Sequence, residues 1–145
     1  MNKAITLLLI LAAFTMACSR PRPSATSTAI ANAVETDSEI IDIGTLSTEE
    51  WDRLHVFAPY SSSENITKEL GFEWQDYEKS GIFLNEGVSL LLFLKGDTIV
   101  EWFAHPRRQG DFALAARFGG YTRSEAVFTL ERTGAERWPT IKYRE

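Results

Sequence analysis

The run Val88-Ser89-Leu90-Leu91-Leu92-Phe93-Leu94 constrains this chain more than any other segment. A strand with one solvated face alternates apolar and polar residues, and this run does not alternate, so both of its faces must be covered. Lys95-Gly96-Asp97 then supplies a short glycine-containing turn. The β-rich run Thr98-Ile99-Val100-Glu101-Trp102-Phe103-Ala104 follows, so the two runs predict a hairpin whose first strand is central in a sheet.

Local signals place further elements around that hairpin. Ser47 with Glu50 is a capping box, flanked by Leu46 and Trp51 as a hydrophobic staple, and it predicts a short helix over 48–53. Leu54 to Tyr60 reads as a strand that Pro59 ends. Ser61 with Glu64 predicts a second helix, with Ile66 and Leu70 on one face and Gly71 at its C-terminus. Ile82 to Leu84 is expected as a short strand, Pro106 to Gly110 as a loop, and Asp111 to Gly119 as a helix. Ala126, Phe128 and Leu130 alternate along a later strand, and the stretch from Trp138 to Ile141 adds an edge. Four Trp, four Tyr and eight of the nine Phe lie between Trp51 and Tyr143, which supplies core bulk without staples. The fold class expected is α+β: an antiparallel sheet of four to five strands with short helices packed on one side, forming a single globular domain over 40–145.

The N-terminus carries a different signal. Met1-Asn2-Lys3 is a short basic start, and the run from Ala4 to Ala17 is apolar apart from Thr6 and Thr15. It is too short for a permanent membrane span, which needs about 20 apolar residues, and it has the size of a signal-peptide core. The chain's one cysteine, Cys18, stands directly after it. Thr15-Met16-Ala17-Cys18 resembles the lipobox of bacterial lipoproteins, matching at Ala17 and Cys18 and departing at Thr15, where a larger aliphatic residue is usual. The resemblance implies removal of residues 1–17, lipidation of Cys18 as the mature N-terminus and, with Ser19 rather than Asp next, an outer-membrane location on the periplasmic side. Ordinary signal cleavage after the small-x-small pattern Thr15-Met16-Ala17 is the alternative, leaving a soluble protein. Residues 18–39 read as a disordered tether, because Ser19 to about Ser38 is rich in Ser, Thr and Pro and lacks aromatics. Within it, Arg20 and Arg22 read either as contacts to anionic head groups or as a solvated stop after the signal.

Composition removes several function classes. A net charge of −5 argues against nucleic acid as a partner, and one cysteine rules out both an internal disulfide and a thiolate-rich zinc site. His55 and His105 fall in no metal-ligand spacing, so neither a metal nor a cofactor is expected. Ser61 to Ser63 are explained by helix capping, and no Gly-x-Ser-x-Gly elbow is present, so no catalytic residue is nominated. Charge is unevenly distributed: Thr45–Ala104 holds four basic and eleven acidic residues, whereas His105–Glu145 holds eight basic and five acidic. Paired arginines on a loop suit carboxylate or phosphate recognition, so Arg107 and Arg108, with His105 and Tyr60, form a candidate rim for a small anionic ligand.

The segments Trp51-Asp52-Arg53, Pro59-Tyr60 and the Leu-rich hairpin with its Lys-Gly-Asp turn are similar to those of small uncharacterised bacterial lipoproteins, a resemblance that brings no established activity. The function expected is therefore that of a non-enzymatic binding or accessory module of the cell envelope, held to the membrane by N-terminal lipid and engaging a protein or small anionic ligand. The alternatives are a periplasmic inhibitor or immunity protein against a toxin or hydrolase, and an enzyme of unrecognised type.

Overall fold

The computed structural model describes residues 23–132 and 138–145; the signal segment, Cys18, Ser19, Arg20 and Arg22 lie outside the described residues. In chain order the elements are α1 (Ala25–Glu35), β1 (Ile40–Asp42), α2 (Ile43–Leu46), β2 (Arg53–Phe57), α3 (Ser63–Leu70), α4 (Tyr77–Ser80), β3 (Val88–Lys95), β4 (Thr98–Pro106), β5 (Tyr121–Thr122), β6 (Val127–Glu131) and β7 (Thr140–Tyr143). Short 3-10 turns occupy Arg107–Gln109 and Ala113–Ala115. The fold is α+β, as expected, with its strands divided between two antiparallel sheets ordered β4-β3-β2-β5 and β1-β6-β7.

The apolar run became the hairpin strand β3, paired with β2 on one side and β4 on the other. Its side chains feed two separate cores. Leu91 and Phe93 pack with Leu54, Val56 and Phe103 against Ile41, Phe128 and Ile141 of the second sheet. Leu90, Leu92 and Leu94 face the other way, onto Ile66, Trp74 and Ile82. Each fully buried aliphatic or aromatic side chain contributes about 1.5 to 3 kcal/mol. Removing either cover layer would therefore expose several such contributions at once.

Helix α1 corrects the expectation of a disordered tether over 18–39. Ser24 caps it by accepting from the Ser27 amide, and Thr26, Ser27, Ile30 and Val34 are buried. Ile30 and Val34 enter the same core as Leu91 and Phe93. The segment is Ala-rich, a strong helix former, and its few apolar residues stand four apart on one face.

Three other expectations change. Residues 48–53 form no helix, because the Asp52 amide bonds to the Leu94 carbonyl at 2.9 Å and Trp51 is drawn edge-on against Phe93 at 5.3 Å. A one-turn helix, α2, precedes them, capped by Asp42. Ile82 to Leu84 is a turn, closed by the Leu84 amide on the Gly81 carbonyl, rather than a strand. The helix expected from Asp111 to Gly119 is reduced to one 3-10 turn, although Asp111 does accept from the Ala113 amide at 3.0 Å. Helix α3 follows expectation with its cap one residue later, at Ser62, and with Gly71 left-handed at its end.

Gly120 is fixed by a close approach. Its φ is +62°, and a Cβ there would stand 2.3 Å from the Leu54 carbonyl oxygen. Gly96, at φ +57°, has open space around it. Gly120→Ala should therefore cost about 3 kcal/mol in urea denaturation, and Gly96→Ala about 1 kcal/mol, the backbone contribution alone. Equal losses would contradict the packing described between β5 and β2.

Candidate functional site

The four residues proposed as an anion rim do not converge. Tyr60 stands exposed at the end of β2's following turn, with a left-handed φ of +65°. The Arg107 guanidinium is already engaged: Nε and Nη2 donate to the Asp111 carboxylate at 2.8 and 2.9 Å, and Nη1 donates to the Glu86 carbonyl at 2.9 Å. It also stacks over the Trp138 ring, 4.5 Å from its centroid. Asp111 raises the Arg107 pKa further, so this is a closed bidentate clamp. Arg108 is exposed and has no hydrogen-bond partner among the described residues.

His105 is a correction to the rim, because it points into the core and is fully buried. On β4, Glu101, Phe103 and His105 face the layer that holds α1, since they sit opposite Phe93, Leu91 and Ser89. The His105 Nε2 lies 3.2 Å from the Gln109 carbonyl, which can only accept, so the ring proton sits there. Ser27 then donates to Nδ1 at 2.8 Å. Burial pushes the His105 pKa down to about 4, leaving the ring neutral at physiological pH. A serine on a neutral imidazole has the contact of a nucleophile and its base. Here both groups are closed from solvent, and the pair fastens α1 to β4. Two hydroxyls, Ser24 and Thr26, extend the seam by donating to the Glu101 carboxylate.

His55 serves a similar purpose on the opposite face. Its Nδ1 lies 3.1 Å from Glu69 Oε1, and the same oxygen accepts the Gly119 amide at 2.6 Å, tying β2, α3 and the loop before β5 together. Burial lowers the His55 pKa, with Glu69 acting in the opposite direction. Among the described residues no group of three His, Cys, Asp or Glu is arranged to hold a metal ion, and no helix is long and apolar enough to cross a membrane.

An open concave surface lies elsewhere, between β4 and the segment joining α3 to α4. This groove encloses about 540 Å³ and has Phe72, Trp74, Ile99 and Trp102 as its apolar wall. Trp74 and Trp102 meet edge to face at 5.1 Å. Its carboxylates are Glu73, Asp76 and Asp97; Glu101 also borders it, but its carboxylate turns to Ser24 and Thr26 on the α1 side of the sheet. Lys79 donates to Asp76 at 2.6 Å and holds that carboxyl below its ordinary pKa. A second hollow of about 260 Å³ lies between α3 and α4, with Trp74 as a shared wall and Glu73 and Glu78 on its rim. Sequence reading missed the groove because its residues come from two segments far apart in the chain; the excess of acid over Thr45–Ala104 was its only trace. No protein-family model matches the chain, and neither a curated protein nor a solved structure matches it.

Two measurements test these assignments. Arg107→Ala should cost about 2 to 4 kcal/mol by leaving the buried Asp111 carboxylate uncompensated, while Arg108→Ala should leave stability unchanged. Equal effects would disprove the clamp. For His105, the unfolded ring takes up a proton near pH 6.5 and the folded ring only near 4. Stability is thus complete above 6.5 and falls as pH drops towards 4, by up to about 3 kcal/mol. His105→Gln should flatten most of that decline in denaturation curves recorded across the range; an unchanged slope would contradict the buried neutral ring.

Proposed function

We propose that this chain is a lipoprotein of the cell envelope, anchored through Cys18 in the outer membrane on its periplasmic side, and that its folded domain works by binding another molecule. The apolar run ending at Ala17-Cys18 supports the anchor, and the observation that carries the reading is the position of α1. Ser24 caps a helix whose Ile30 and Val34 are core residues, and that cap stands six residues after Cys18. Six residues reach at most about 20 Å when fully extended. A lipid on Cys18 therefore holds the domain close to the head groups, a much shorter leash than a tether of some 20 residues. Two or three acyl chains give the firm attachment that one chain lacks.

The binding role is supported by where the unpaired chemistry lies. Both histidines and Arg107 are engaged in fastening elements together, whereas the groove beside β4 is open, aromatic and acidic. The same acidity supports a second reading, an inhibitor or immunity protein whose partner is a basic toxin or hydrolase.

Metabolic labelling with an alkyne fatty acid tests the anchor. Wild-type protein should be labelled and recovered with outer membranes, and Cys18→Ala should abolish both. Unlabelled wild-type protein released by osmotic shock would overturn the reading.

A further inference from the structure

The groove runs along an unpaired sheet edge. β4 is the last strand of its sheet, and among the described residues nothing hydrogen-bonds to its outer side. An open edge presents alternating amides and carbonyls that another extended chain can pair with. The edge is bent by a bulge at Val100, which has no partner residue opposite while Ile99 pairs Leu94 and Glu101 pairs Phe93. Ile99 and Trp102 face the groove, and Asp97 lies at the hairpin turn where the edge begins.

The charge along the edge selects the occupant. Glu73 and Asp97 are exposed and Asp76 is half-buried, while Lys79 is held by Asp76 and Lys95, at the turn, by Glu50. A second copy of this edge would bring the same carboxylates face to face, which like-charge repulsion opposes. An anionic lipid surface is disfavoured on the same ground.

We propose that β4 and its groove bind an extended, basic segment of another protein, which adds as a fifth strand outside β4 and places alternate arginine or lysine side chains over Ile99 and Trp102. The aliphatic stems pack on the apolar wall while the charged heads reach Asp97, Asp76 and Glu73. The inference deepens the binding reading and does not depend on the lipid anchor.

The test uses the full chain in detergent and a synthetic peptide of about eight residues alternating arginine and threonine, with a glutamate-threonine peptide as control. The arginine peptide should bind, and amide exchange between Thr98 and Trp102 should slow when it does. The exposed pair Asp97→Asn with Glu73→Gln should weaken binding about tenfold with an unchanged circular dichroism spectrum. Equal binding of the glutamate peptide, unaltered affinity in the double variant, or unchanged exchange in β4 would overturn the proposal. Slow exchange in β4 without peptide, rising with protein concentration, would assign the edge to a second copy instead. Lipid-labelled protein that ignores the arginine peptide overturns the groove alone, and unlabelled protein that binds it overturns the anchor alone.

Discussion

Burial of β3 on both faces is the constraint from which the rest of the molecule follows. A strand with Leu90, Leu91, Leu92 and Phe93 in succession cannot be satisfied by a two-layer arrangement with one wet face. One cover is built from α3, α4 and the aromatic segment between them. The other is the sheet β1-β6-β7, completed by α1. Because α1 and β1 come from one end of the described chain and β6 and β7 from the other, both ends of the described chain are locked into one core. The long apolar strand thus dictates that folded structure reaches back to Ser24.

Most polar groups that the covers trap are hydrogen-bonded and act as fasteners. Ser27 with His105 and the hydroxyls on Glu101 join α1 to β4; Glu69 joins His55 to Gly119; Asp111 joins Arg107 to the Ala113 amide. Each sits where a helix or loop end meets a sheet. Two buried polar atoms, Trp51 Nε1 and Ser89 Oγ, have no partner among the described residues. Residues that suggest chemistry in the sequence are thus largely consumed by structure. The edge of β4 and its acidic, aromatic groove stay open, which supports the proposed binding role.

The hairpin and α3 were legible because their signals are local and redundant: a non-alternating apolar run, a glycine turn, a serine cap and Gly71 at the helix end. The helix α1 was hidden by composition, since Ser, Thr and Ala read as a tether. Yet Thr26, Ile30, Ala33 and Val34 already mark one helical face, and Ser24 marks its cap. The capping box at Ser47 misled for the opposite reason. A local helix signal was outweighed when Trp51 found Phe93 and the Asp52 backbone found Leu94. At the site, nothing in the spacing of Arg107 and Asp111 announced a closed clamp, and His105 alternates inward by its register with Ser89. The groove joins residues 72–76 to residues 97–102, a contact that no sequence period encodes.

The cover over Leu91 and Phe93 depends on α1 being core. Native-state amide hydrogen exchange of the full chain measures that directly. Amides from Ile30 to Val34 should exchange only through global unfolding, with protection equal to that of Leu91 to Phe93 in β3. Exchange of those α1 amides at the rate of an unstructured peptide, while β3 stays protected, would contradict it.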